Sequence, residues 1–191
     1  MTQIIVMHRA YANPRGDWYP WLKATLEEKG FQVSVPSFPS HRSPRLPTWV
    51  ATCAKTLKDT DSETVVVAHD IGVITTFRTI QSRLPQLRLR GMVTVAGQCQ
   101  VIDNLGLLNR FFPDEIDWAL LRAALGRVIV LNDEDDPLAP LPHGQKIALE
   151  LGAELVVTKG RGHFSSTTLP EVLEAVDQIL AASHEAPRSL L

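Results

Sequence analysis

Cysteine is nearly absent from this chain: Cys53 and Cys99 are the only two in 191 residues. Their placement matches neither a metal-ligand pair nor a redox dithiol, so both read as small buried hydrophobes in a reducing, cytoplasmic protein. Long apolar runs are missing too. Stretches such as 64–68 and 92–96 fall far short of the roughly 20 residues a membrane helix needs. No secretory leader is expected, because the run 4–7 is cut off by His8 and Arg9. Nor is there an excess of one charge: 19 basic against 21 acidic side chains leave −2 at pH 7. Such a balance does not coat a polyanion, so neither nucleic acid nor a membrane is an expected partner. Internal repeats are absent. The Asn13-Pro14-Arg15-Gly16 turn and the glycines at 160 and 162 do not form a phosphate loop, and no cofactor is implied.

What remains is ordinary globular material, 45% hydrophobic and 21% charged. A chain this long removes roughly two-thirds of its surface from water on folding, enough for a full core without disulfides. Short β-branched runs alternate with helical-period segments, the pattern of a mainly parallel sheet covered on both faces. Strands are expected at 4–8, 32–36, 64–68, 91–96, 127–132 and 154–158, and helices at 18–28, 48–58, 71–83, 115–125, 141–151 and 170–182. Gly30 and Gly152 sit where helix C-caps belong, and Pro47 suits a first helical turn. The proline-rich segment 36–47 reads as an ordered surface loop, and 98–126 is the only room for a lid. Residues 1–182 form one domain in this reading, and 183–191 a frayed tail.

In such sheets sites gather outside the carboxyl ends of the strands. The residues found there are His8 and Arg9, Asp70, Asp133 to Asp136, and His163. Ala68-His69-Asp70-Ile71-Gly72 is a strand, a sharp turn and a helix start with the form small-x-nucleophile-x-Gly. The helix beginning at Ile71 brings N–H groups and a positive dipole end to the central side chain. Asp136-Pro137 follows the fifth strand, and Gly162-His163-Phe164 the sixth, so nucleophile, acid and base occur in α/β-hydrolase order.

Together with Asp17-Trp18-Tyr19-Pro20-Trp21-Leu22, the segment 112–121 and its Asp117-Trp118 pair, these motifs resemble the small serine hydrolases of the retinoblastoma-binding-protein type. The resemblance spans residue 4 to about 180. It implies an α/β-hydrolase fold, a three-layer sandwich with little or no cap, with Asp136 and His163 as catalytic acid and base on a small soluble substrate. Two positions depart from the pattern: Asp70 stands where the family has Ser, and His8-Arg9 where the first strand should end in His-Gly. That glycine normally lets a backbone N–H approach the oxyanion, a role Arg9 puts in question.

A carboxylate at the elbow needs no deprotonation. Attack on an ester carbonyl gives a reactive anhydride, whereas attack on a saturated carbon gives an ordinary alkyl ester. Epoxide hydrolases and dehalogenases of this fold resemble such an arrangement. In that mechanism Asp70 is the nucleophile, His163 activates water, Asp136 orients His163, and the Ile71 N–H belongs to the oxyanion hole. The leaving group is the open question, because the lid segment is short; Arg9, Tyr11, Trp18 and Tyr19 are candidate donors, with His8 and His69 also near the pocket. Two anions beside His163 raise its pKa.

Competing readings use the same residues: a catalytically silent binding relative, or an acid–base isomerase or cyclase working through Asp70 and His163. At single positions the simpler roles are a helix N-cap for Asp70 and a solvated acidic turn for Asp133, Glu134 and Asp135, with Asp135 the alternative triad acid. His143 is placed on a helix surface, His69 as a packed histidine, and Trp18, Trp21 and Trp118 in the core or at the pocket rim. A zinc site from His8, His69, Asp70 and His163 lacks any supporting ligand spacing. The oligomeric state is not legible.

Overall fold

The structure, a computed structural model, describes residues 2–101 and 106–182; the expected tail lies outside them. Six strands, β1 (Gln3–Met7), β2 (Gln32–Ser34), β3 (Val65–His69), β4 (Leu89–Val95), β5 (Leu125–Asp133) and β6 (Glu154–Thr158), form one sheet in the order β2-β1-β3-β4-β5-β6. Every pairing is parallel. Six α-helices accompany it: α1 (Tyr19–Glu28), α2 (Leu46–Leu57), α3 (Ile71–Arg83), α4 (Trp118–Ala124), α5 (Leu141–Leu151) and α6 (Pro170–Ala181). A short 3-10 helix covers Gly106–Phe111. Chain order reverses beside β1, where β2 lies on one side and β3 on the other, and a switch of this kind opens a crevice at the strand ends.

Strand residues alternate between two buried layers. Ile5, Met7, Val66, Ala68, Met92 and Val130 meet Trp49, Phe77 and Ile147 on one face. Ile4, Val6, Val65, Val67, Val93 and Ile129 meet Trp18, Leu22, Val176 and Ile179 on the other. Continuous Val/Ile runs are therefore what a sheet buried on both sides requires. No helix of the described residues is long and apolar enough to cross a membrane. Cys53 and Cys99 are free and buried, and burial pushes both thiols up to about 11.

Several boundaries differ from the sequence reading for local reasons. Leu89 pairs with Leu125, so β4 and β5 each begin two residues earlier than expected. Gly91 lies in β4 and Gly126 in β5. Here they permit close pairing, because a Cβ at either would stand 2.4 Å from the Arg127 carbonyl or 2.1 Å from the Arg90 carbonyl. α4 starts at Trp118, not at 115, because the Asp117 side chain accepts the Leu120 N–H and caps it. α2 starts at Leu46, inside the expected loop, with Pro47 in its first turn. His143 is a correction: it faces inward, 6% exposed, and its Nδ1 accepts the Cys99 N–H.

Gly72 fixes how closely α3 approaches β1. A Cβ there would lie 2.8 Å from the Met7 carbonyl oxygen and 3.1 Å from that of His8, both backbone atoms that cannot swing aside. Gly72→Ala should cost about 1–3 kcal/mol, the usual penalty for overpacking, read as a lower denaturant midpoint with an unchanged m-value. A wild-type midpoint would show that β1 and α3 separate freely.

Candidate active site

Asp70 sits at the turn from β3 into α3 with φ 53° and ψ −123°, a conformation that L-residues adopt at a cost of about 1–3 kcal/mol. The turn is held by Asp70 N–H to the Val95 carbonyl at 2.9 Å and by Val73 N–H to the Asp70 carbonyl at 3.0 Å. The side chain makes no helix-capping bond, so the N-cap role does not apply. Its carboxylate points instead at the crevice. Oδ2 accepts the Ala10 N–H at 3.3 Å, the Ile71 backbone adds a further bond, and Oδ1 accepts from Gln98 Nε2 at 3.0 Å.

His163 Nε2 stands 3.8 Å from Asp70 Oδ1, while its Nδ1 is 2.9 Å from Asp136 Oδ2. Asp136 Oδ1 takes the N–H groups of Leu138 at 2.8 Å and Ala139 at 3.1 Å. Because Asp136 is a fixed acceptor, the His163 Nδ1 carries a proton and Nε2 faces Asp70. Residues 70, 136 and 163, far apart in sequence, meet at one place. Asp135, the alternative acid, is exposed outside it.

Burial disfavours the His163 cation, but the Asp136 hydrogen bond and the charges of Asp70 and Asp136 outweigh it and raise the imidazole above its ordinary value. Burial also raises the Asp70 carboxyl, against the opposing pull of His163, the Ile71 and Ala10 N–H groups and Arg9. Asp133 is a second correction. It is fully buried, not solvated, and accepts from the Thr158 hydroxyl and the N–H groups of Arg161 and Asp135. Burial opposes its charge, but these bonds outweigh it and hold its carboxyl below the ordinary value while tying β5 to the loop that carries His163.

A cavity of about 200 Å³ opens over Asp70, lined by Arg9, Ala10, Tyr11, Asp70, Gln98, Leu108, Leu138 and His163. Arg9 and Tyr11 line it as the sequence suggested. His8, Trp18 and His69 do not; each is fully buried behind it with its polar atoms engaged. Phe38 N–H donates to His8 Nε2, so Nδ1 bears the proton given to the Arg9 carbonyl. The Trp18 indole N–H donates to the Phe164 carbonyl at 3.1 Å. His69 lies between the Tyr19 hydroxyl at 2.9 Å and the His163 carbonyl at 3.1 Å, and burial holds its pKa well below the ordinary value.

The concern over Arg9 resolves structurally. Its guanidinium turns to Asp17, with Nε 2.7 Å from Oδ2 and Nη2 3.2 Å from Oδ1, and its own N–H donates to the Tyr19 hydroxyl. The N–H that reaches the elbow side chain is that of the next residue, Ala10. Sequence reasoning also missed Gln98, Leu108 and Leu138. Gln98 had a usable signal, since it closely follows the carboxyl end of β4, the one central strand end left unread. Among the described residues no group of three His, Cys, Asp or Glu is placed to hold a metal ion.

The profile of the serine hydrolase family matches residues 4–182, and the chain belongs to that family. YdeN of Bacillus subtilis (strain 168) is 25% identical over 178 residues, covering 91% of this chain and 94% of YdeN. The crystal structure of the ydeN gene product superposes with a TM-score of 0.91 at 24% identity, over 95% of this chain and all of that one. A carboxylesterase structure from Nitrososphaera gargenis reaches 0.74 at 12% identity, covering 94% of this chain and 90% of that one. Family and fold together make the protein a hydrolase of the α/β-hydrolase superfamily.

Removing the Asp70 charge should destabilise the imidazolium beside it. Asp70→Ser is therefore expected to lower the His163 pKa in an NMR titration, with the His8 and His143 signals as internal references. The sign carries over to stability. The His163 contribution is complete below the imidazole's ordinary value near 6.5 and is lost as pH rises through its higher folded value. An unchanged His163 titration in the variant would mean the two side chains do not face each other in solution.

Proposed function

We propose that this hydrolase acts on a small soluble substrate with Asp70 as carboxylate nucleophile, forming an alkyl-enzyme ester that water activated by His163 then hydrolyses, with Asp136 orienting the imidazole. The observation that carries this reading is the division of labour between the two Asp70 oxygens. Oδ2 accepts the Ala10 N–H at 3.3 Å, while Oδ1 faces His163 across the cavity. A serine offers one oxygen for attack and relies on the substrate to supply the oxyanion. A carboxylate supplies both: Oδ1 attacks carbon, and Oδ2 becomes the oxyanion when water adds to the ester carbon Cγ, already held by the Ala10 N–H.

The reaction runs in two steps. In the first, a bond forms from Oδ1 to a saturated carbon and the leaving group departs with the bonding pair. In the second, His163 Nε2 takes a proton from water as it attacks Cγ, and collapse releases the alcohol and the Asp70 carboxylate. Removing His163 should leave the second step without a base and let the ester accumulate.

The test uses a panel of small epoxides and haloalkanes. Turnover in H2-18O should place the heavy oxygen in Asp70, detectable in its peptide by mass spectrometry, and His163→Ala should retain an alkyl adduct on Asp70 with at least one substrate of the panel. Label in product but never in Asp70 would favour the acid–base reading. Neither turnover nor adduct across the panel would leave a binding relative as the better account.

A further inference from the structure

The reading of Asp70 as nucleophile leaves the electrophile open, and the cavity narrows it. A departing halide needs converging donors with net positive charge. Apart from Tyr11, which lines the cavity and is 63% exposed, the donors here are spent. The Trp18 indole binds Phe164, the Tyr19 hydroxyl binds His69, and Gln98 Nε2 is shared by Asp70 Oδ1 and Leu138 O. Arg9 is neutralised by a two-bond pair with Asp17 and gives a third N–H to the Ala10 carbonyl. Among the described residues, the lining therefore holds one cation without a bidentate carboxylate partner of its own: His163, between two acids.

Its surroundings come from four elements. Asp70 approaches from the β3–α3 turn at 3.8 Å and Asp136 from the β5–α5 loop at 2.9 Å. His69, at the end of β3, has its ring centroid 5.4 Å away and is held neutral by burial, and the Arg9–Asp17 pair lies on the β1–α1 loop. Two carboxylates against one imidazole favour the imidazolium at rest. At 3.8 Å from Oδ1, Nε2 is too far for a hydrogen bond to Asp70 but borders the same cavity. Its proton is available to a third group. A ligand whose electrophilic carbon and basic oxygen are directly bonded engages both residues, with attack at about 3–3.5 Å and a hydrogen bond near 2.8 Å.

We infer that the substrates are small epoxides, and that His163 is proton donor in the first step as well as base in the second. Oδ1 bonds to a ring carbon, the C–O bond breaks with its electron pair on oxygen, and that oxygen takes the Nε2 proton. His163 is now neutral. It accepts a proton from the water that adds to Cγ, so release of the diol restores both carboxylate and imidazolium. One proton shuttles out and back, and the sum is epoxide plus water to diol. A haloalkane breaks this cycle: its halide takes no proton, and His163 has to discharge to solvent before activating water. Leu108 and Leu138 give the hydrocarbon part an apolar wall.

The test compares 1,2-epoxypropane with 1-bromopropane, following diol formation and Asp70 ester by mass spectrometry. Wild-type protein should turn over the epoxide, at a rate that falls as pH rises through the His163 value measured by NMR. In His163→Gln, ester formation from 1-bromopropane should stay within about threefold of wild type, while that from the epoxide should fall by about 10²–10⁴, the usual worth of a positioned acid. Asp136→Asn, which keeps the imidazole, should move the pH profile of epoxide opening downward. Equal epoxide and bromide labelling in His163→Gln, or wild-type preference for the bromide, would overturn the epoxide assignment while leaving Asp70 as nucleophile. Absence of any Asp70 adduct from either compound would remove both.

Discussion

One local constraint governs the rest of this structure: the backbone of Asp70 is forced into a left-handed conformation at the point where β3 becomes α3. An aspartate there loses the ordinary role of capping the helix it precedes, and its carboxylate is thrown forward over the strand ends. Gly72 makes the turn possible by letting α3 sit directly on the carbonyls of Met7 and His8. The same approach brings the β1–α1 loop near enough for Ala10 to give its N–H to the carboxylate. Backbone strain, helix packing and the anion cradle are thus one feature seen at three scales.

Charge is managed around that point by enclosure. Two buried carboxylates beside one imidazole are costly to desolvate, and such clusters persist only where hydrogen bonds satisfy their remaining lone pairs. Asp136 has the N–H groups of Leu138 and Ala139, and Asp70 has those of Ala10 and Ile71 with the Gln98 amide. Behind them, neutral His69 joins Tyr19 to the carbonyl of His163, so the loop bearing His163 and the loop bearing Arg9 and Ala10 are tied through one pair of buried rings. Asp133 performs a similar service from β5. These groups are structural supports, and their burial is the reason none of them lines the cavity.

The fold was largely legible because a sheet covered on both faces writes itself as apolar runs between helical segments, and the ends of α3 and α5 carry plain stop signals at Pro85 and Gly152. The three positions that meet, 70, 136 and 163, were legible for the same reason: each lies in the loop or turn after a strand. What escaped depends on contacts across the sequence. The first two residues of β4 and of β5 were missed because the close pairing that Gly91 and Gly126 allow shows only against the neighbouring strand's carbonyls. Asp133 and His143 read as surface groups because charge and polarity suggest water, whereas partners from β6 and from the segment after β4 make burial favourable. Arg9 looked like a threat to the cradle because its side chain's partner, Asp17, is eight residues away.

In the proposed mechanism the carboxylate of Asp70 calls for a saturated electrophilic carbon and holds the oxyanion on its own side chain, which an alcohol at that position would not. The most direct measurement of that claim is a crystal structure of His163→Gln after reaction with 1-bromopropane. The account predicts continuous density from Asp70 Oδ1 to a propyl carbon, with Oδ2 still accepting the Ala10 N–H. Density showing an unmodified Asp70, or the propyl group on any other residue, would contradict it.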